Sequence, residues 1–299
     1  RINQIIRHKV NKQIYRVNTP VSSVDVTEDH SLIRSDGTEI SPKDVKLGDE
    51  LLISFPKQKE FSDLYSLESE KIYKKLQIES FSIEKARIMG FFFINGIFKN
   101  YRKFEMFENT WKIQCKNKDI ITAYRKRYIK EYPQFLWNII QSNDGYYYLV
   151  YSSIEPFHHK MFIQELKCSQ LHNRIVPEKI LNADYSIRKS FMKGIKDALR
   201  EKHIKIKRFC GNQYYSSIQG KGKLSSMTIY TLLKSLNYFV NVENVNNNSN
   251  NFNLYFSTTN LTSFENKVSG IHKLSYQEEY VYDLSTNNHH FQAGVGACI

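Results

Sequence analysis

At 299 residues the chain has room for roughly one to three domains around a buried core, and 41% hydrophobic with 24% charged residues is globular composition. No apolar run approaches the ~20 residues of a membrane helix, 12 Gly and 6 Pro exclude fibrous and low-complexity classes, and four cysteines without a CxxC pair argue against a zinc ribbon, a thioredoxin-type site or a disulfide scaffold. The net charge of +13 lies entirely in residues 60–263, because residues 1–59 and 264–299 carry small opposite excesses that cancel; a basic middle between neutral ends suggests two units, the middle facing a polyanion, most simply nucleic acid.

In chain order, Gln13–Val17 and Val21–Val26 are β-branched and aromatic and are split by Asn18-Thr19-Pro20, which predicts two strands. Ser31–Arg34 follows, then turns at Ser35-Asp36-Gly37-Thr38 and Ser41-Pro42-Lys43-Asp44-Val45, and Gly48-Asp49-Glu50 leads into the apolar strand Leu51–Phe55. From about Glu60 the texture becomes α/β. Glu84–Phe93 and Ile187–Leu199 have helical apolar spacing, and further helices are predicted at Ile120–Tyr132, Pro156–Glu165 and Ser226–Leu236. Strands are predicted at Trp111–Cys115, Tyr146–Ser152, Tyr214–Ile218 and Phe252–Ser257, with an Asn/Ser loop at Asn246–Asn251. After about Ser263 strands return at Tyr280–Leu284 and Phe291–Val295, joined by the loop Ser285–His290. The economical arrangement is an α/β domain inserted into a small β domain.

The segment Val24-Asp25-Val26-Thr27-Glu28-Asp29-His30 resembles the second conserved block of inteins, the self-splicing Hint domain, in which a T-x-x-H element assists the first acyl shift. Ile40 through Leu51, with Gly48-Asp49-Glu50-Leu51, is similar to the family's polar turn before a G-D-x-L strand. At the far end Val281-Tyr282-Asp283-Leu284 and His289-His290-Phe291-Gln292-Ala293-Gly294 resemble the block near the intein C-terminus. The wording is most like inteins in family-B DNA polymerases of large DNA viruses. The resemblance implies that His30 protonates the leaving amide nitrogen, that Thr27 holds the scissile peptide in a polarised geometry, that Asp283 steers the nucleophile, and that His289 or His290 activates Asn cyclisation. It also implies that the first block, with its Cys or Ser nucleophile, and the terminal His-Asn are lacking. The chain runs from Arg1, without Met or signal peptide, to Ala297-Cys298-Ile299; it is expected to be a processed product or fragment that cannot splice alone.

In the basic middle, Ala86-Arg87-Ile88-Met89-Gly90-Phe91-Phe92-Phe93-Ile94-Asn95-Gly96 resembles the first LAGLIDADG helix of homing endonucleases. Val176-Pro177-Glu178, followed by Arg188 through Arg200, resembles the second. In that family two such helices pack face to face at small residues, and each ends in a carboxylate that holds Mg²⁺ at the scissile phosphates. Here the matching positions are Asn95 and Leu199, the latter followed by Arg200 where Gly is usual. Neutral Asn is a poor partner for a hard dication and Leu is no ligand, so the nuclease is expected to be degenerate, with Mg²⁺ not held at the usual site. Losing both carboxylates should cost roughly 10³-fold or more in rate. Lys221 and Lys223, in Gly220-Lys221-Gly222-Lys223, are expected to face DNA phosphates.

The fold class expected from the resemblance is mixed: an all-β Hint horseshoe, residues 1–59 and 264–299, with an inserted α/β endonuclease domain of two αββαββα-like halves, residues 60–263. The expected partners are double-stranded DNA and a flanking polymerase extein. No cofactor serves splicing, and no membrane partner is expected. The chain is expected to be a monomer in the reducing interior of a virus-infected cell. Rival readings are an active homing endonuclease using displaced acids such as Asp197 or Glu201, and a DNA-binding protein derived from a nuclease.

Overall fold

The computed structural model describes residues 2–54, 82–103, 106–152, 156–201, 216–246, 249–259, 266–275, 280–286 and 293–297. In chain order the elements begin β1 (Ile2–Lys9), β2 (Ile14–Thr19), β3 (Ser22–Thr27), β4 (Leu32–Ile33) and β5 (Glu39–Ile40). Then come α1 (Ile83–Asn95), β6 (Gly96–Lys103), β7 (Met106–Cys115), α2 (Lys118–Glu131), β8 (Leu136–Gln141), β9 (Tyr147–Ser152), α3 (Pro156–Glu165), α4 (Cys168–His172), α5 (Glu178–Leu181) and α6 (Tyr185–Glu201). The chain continues through β10 (Ser216–Gln219), α7 (Lys223–Lys234), β11 (Phe239–Asn244), β12 (Phe252–Ser257), β13 (Gly270–Lys273), β14 (Tyr280–Thr286) and β15 (Val295–Gly296). None of the described helices is long and apolar enough to cross a membrane.

The chain divides into two compact units: Arg1–Lys57 with Ile206–Ile299, and Gln58–Lys205. In the first unit, strands from both ends of the sequence share sheets. The order is β13-β2-β3-β15 in a four-stranded sheet, β1-β14 in a two-stranded ribbon, and β10-β12-β11 in a third, three-stranded sheet. All of these pairings are antiparallel. Strand β3 alternates: Val24 and Val26 enter a core with Val17, Leu32, Ile40, Val45, Leu51 and Val268, while Asp25 and Thr27 stand on the opposite face. The three-stranded sheet and α7 pack on this framework, with β11 against β3 and α7 against β15. The Val242 amide donates to the Pro20 carbonyl at 3.0 Å. These contacts are why the second division falls at 205/206, inside the segment read from the sequence as one 60–263 insert.

In the second unit α1 starts at the N-cap Ser82, whose hydroxyl accepts from the Lys85 amide at 2.9 Å, and continues into a run from Met89 to Asn95 that is buried throughout. It packs against α6 through Gly90 and Gly194. A Cβ on Gly90 would lie 2.8 Å from the Phe191 carbonyl carbon, and one on Gly194 would lie 2.7 Å from the Phe91 amide nitrogen. Only hydrogens fit between these backbones. Behind α1 the antiparallel sheet β6-β7-β9-β8 closes on an aromatic cluster of Trp111, Tyr128, Trp137, Tyr151 and Phe162. The order α1-β6-β7-α2-β8-β9-α3 is an αββαββα run; after α6 the described residues give β10-α7-β11-β12, one strand fewer.

Several boundaries differ from those read in the sequence. Strands β1, β5, β6, β8, β11 and β13 were not anticipated. The strand expected at Leu51–Phe55 is reduced to isolated bridges at Leu51, paired with Arg34, and at Ile53, with Phe55 outside the described residues. Helix α7 begins at Lys223 rather than Ser226, and β14 runs through Thr286 into the expected loop. The last described strand is only Val295–Gly296, with Phe291, Gln292 and Cys298 outside the described residues.

Candidate functional site

The T-x-x-H element sits where β3 ends. The His30 amide donates to the Thr27 carbonyl at 3.0 Å, closing a turn at the strand end. The Thr27 hydroxyl bonds the Asp29 carboxylate, which is also ion-paired with Lys12; these two contacts, Lys12 first, hold the Asp29 carboxyl below its usual range. Asp283 comes from the other end of the chain, on β14, which is held in register by β1 with Ile6 opposite Asp283. Thr27, His30 and Asp283 line one cavity of about 550 Å³. Lys12, Asp25, Asp29 and Lys223 complete its charged wall. His289 and His290 lie outside the described residues.

Asp25 and Lys223 of this wall belong to a charge ladder that continues behind it. Arg16 on β2 and Asp25 on β3 are directly opposed across the strand pair. Their side chains are 0% and 7% exposed, and Arg16 Nε and Nη2 each donate to Asp25 at 2.7 Å. Arg16 also donates to the Asn250 side chain at 2.9 Å and to the Ser249 carbonyl, and its guanidinium stands over the Phe252 ring. Lys223, at the start of α7, donates to Asp25 at 2.6 Å. Burial alone would raise the Asp25 carboxyl; Arg16, helped by Lys223, outweighs it and holds the group below its ordinary value. Lys223, read in the sequence as facing DNA phosphates, therefore faces Asp25, while Lys221 is exposed. An imidazole, an oriented hydroxyl and a carboxylate around one open cavity form an arrangement capable of proton transfer to a bound peptide group.

At the ends of the paired helices, Asn95 and Leu199 are 4% and 8% exposed, and neither offers a charged oxygen. The residues present do not fit a hard divalent cation. Asp197 is already engaged: Arg87 donates to it at 2.8 and 3.1 Å, and the Tyr124 hydroxyl donates at 2.7 Å. Burial and Asp197 together push the Tyr124 phenol up. The Glu201 side chain lies outside the described residues.

Sequence reasoning missed Lys12, Asp25 and Asp29 as members of the cavity, and Arg16 as the buried partner behind Asp25. Asp25 had a readable signal, since it shares the face of Thr27 at two-residue spacing in Val24-Asp25-Val26-Thr27. Arg16 had one as well, since a hairpin closing around Asn18-Thr19-Pro20 sets it opposite Asp25, whereas Lys223 had none, its partner lying near the other end of the chain.

No protein-family model matches the chain. Over 315 aligned positions it is 29% identical to a DNA polymerase of Acanthamoeba polyphaga mimivirus, an alignment that takes in 100% of this chain and 16% of the polymerase. The chain thus spans about a sixth of that relative's length. Among solved structures, I-DmoI in complex with DNA and Mn is similar with a TM-score of 0.40 and 18% identity, covering 58% of this chain and 89% of that one. I-DmoI with DNA and Ca gives 0.39 and 16%, over 58% and 83%. Mesophilic variants of the homing endonuclease I-DmoI give 0.40 and 16%, over 58% and 88%. The chain is a mixed α/β protein similar along its whole length to a segment of a viral DNA polymerase.

Proposed function

We propose that this chain is an intein-type segment of a viral DNA polymerase: a β self-splicing unit interrupted by an endonuclease-like region that has lost its nuclease centre. The observation that carries the reading is the cavity, where Thr27 and His30 from one end of the chain meet Asp283 from the other. The alignment of the whole chain to a sixth of a polymerase supports it as well. In this reading His30 donates a proton to the upstream junction nitrogen as its C–N bond breaks, and Thr27 holds that peptide. Asp283 steers the attacking nucleophile, and His289 or His290 assists Asn cyclisation at the downstream junction. The basic middle binds duplex DNA, with Lys221 among its phosphate contacts. With Asn95 and Leu199 at the acid positions, it does not cut. A nuclease rebuilt on Asp197 is disfavoured by the bonds Asp197 already makes to Arg87 and Tyr124. The chain acts as a monomer in the reducing interior of the infected cell.

The test places the chain between two reporter segments, with an upstream block carrying a Cys or Ser nucleophile and a downstream His-Asn-Cys. Splicing is followed by gel mobility. His30→Ala should leave the precursor intact at the upstream junction, and Thr27→Ala should slow the shift less. Splicing at an unchanged rate in His30→Ala refutes the reading.

A further inference from the structure

We propose that Lys223 is a positioning residue of the Thr27–His30–Asp283 cavity, and that the segment from β10 to β12 is thereby a structural part of that cavity. The proposal rests on the splicing reading above. Lys223 belongs to the stretch assigned from the sequence to the nuclease, yet its ammonium lies on the cavity wall, 2.6 Å from Asp25. Asp25 stands two residues before Thr27 on the same face of β3, so whatever fixes Asp25 fixes the strand face that presents the Thr27 hydroxyl. From below, Asp25 is clamped by Arg16, which the β11–β12 turn covers through Ser249 and Asn250. From the cavity side it is clamped by Lys223. The Val242–Pro20 backbone bond anchors the same segment beside the start of β3. One carboxylate is thus held between two cations, both dependent on residues 216–259. A peptide bound in the cavity meets a wall whose shape and charge this segment sets.

Lys223→Met leaves Asp25 its Arg16 partner, so no buried charge is orphaned and the fold should persist. Loss of the second clamp should loosen the Thr27 face, and small displacements of positioning groups are costly in rate. In the reporter precursor, Lys223→Met should slow upstream-junction cleavage ~10-fold or more, leave downstream cleavage within ~2-fold, and shift the melting temperature by only a few degrees. Lys223→Arg, which restores the charge and reach, should recover the upstream rate to within ~3-fold. Should Lys223→Met not fold, Lys223→Gln, which is uncharged but still able to donate to Asp25, is read in the same way. His30→Ala runs alongside. If His30→Ala blocks the upstream step while the Lys223 variants splice at the wild-type rate, the proposal fails and the splicing reading stands. Wild-type rates in both would bring down the two together. Weaker duplex-DNA binding by Lys223→Met with unchanged splicing would likewise overturn the proposal, by making Lys223 a phosphate contact.

Discussion

Substituting Gly194 by Ala isolates what the α1–α6 contact demands. In an exposed helix interior the change would stabilise by about 1 kcal/mol, since Ala is the better helix former. Here the added methyl would stand 2.7 Å from the Phe91 nitrogen and 3.0 Å from the Gly90 carbonyl carbon, and deeper still into the Arg87 carbonyl oxygen. Ordinary carbon contacts begin near ~3.5 Å, so the helices must part by roughly 0.5–1 Å. Parting the helices loosens Phe91 on one and Phe191 and Ile195 on the other, all fully buried, and a gap of that size forfeits about a quarter to a half of each dispersion contact between them. With overpacking typically costing 1–3 kcal/mol, and more where backbone meets backbone, we expect a net loss of about 2–4 kcal/mol. For a unit of this size that is a drop in melting temperature of roughly 5–15 °C. The assay is thermal and urea unfolding followed by far-UV circular dichroism, with Lys193→Ala, an exposed position of the same helix, as comparison. A melting temperature equal to or above wild type would refute the close approach and the packing argument built on it.

Asp197→Asn should cost about 1–3 kcal/mol, because the Arg87 and Tyr124 donors lose a charged acceptor, as read by urea midpoint. Asp25 has its folded value below the ordinary 3.8, so the folded state releases that proton more readily than the unfolded chain does. Its contribution is full above that ordinary value and is lost as pH falls through the lower folded one. A melting-temperature series from about pH 6 to pH 2 should therefore show an acid decline that Asp25→Asn flattens from a lower plateau. No metal-dependent cleavage of the uninterrupted insertion-site DNA is expected with Mg²⁺ or Mn²⁺. A plasmid assay checks this, with the triple variant Asn95→Asp, Leu199→Asp, Arg200→Gly as comparison. Duplex-DNA binding should weaken steeply with salt, measured as the slope of affinity against salt concentration, because several phosphate contacts release counterions.

What could be read in advance was what repeats locally. Gly90 and Gly194 each sit within a helical apolar run, so the two helices were legible, as was the alternating strand before Thr27; the pairing of the helices and the role of Thr27 with His30 followed only from the family resemblances. Strand β1 was not legible because it lies in a two-stranded ribbon with little buried face: Ile5 is 66% and Ile6 40% exposed, so no period of two is imposed on its sequence. Strand β13 has four residues and exists through its ladder with β2 alone. In β8 the core takes Trp137 and leaves Leu136 and Ile140 exposed, so the apolar run Leu136–Ile140 blurs the alternation. In the Arg16–Asp25–Lys223 ladder the first two members face each other across one hairpin, but Lys223 comes from an element far away in the chain and nothing in its spacing announces it.

The interleaved strands of the first unit also set a clock during synthesis. Gln13 on the approach to β2 donates its amide to the Leu274 carbonyl, 261 residues downstream, and β1 waits still longer for β14. At the ~5–20 residues per second of a ribosome, β1 and the outer edges of the β2–β3 hairpin wait roughly 15–50 s for their partner strands, while the contiguous Gln58–Lys205 unit is already complete enough to fold. The cavity therefore cannot exist until its last wall has been translated. Any chemistry it performs is held off until the whole segment has left the ribosome, with no inhibitor required.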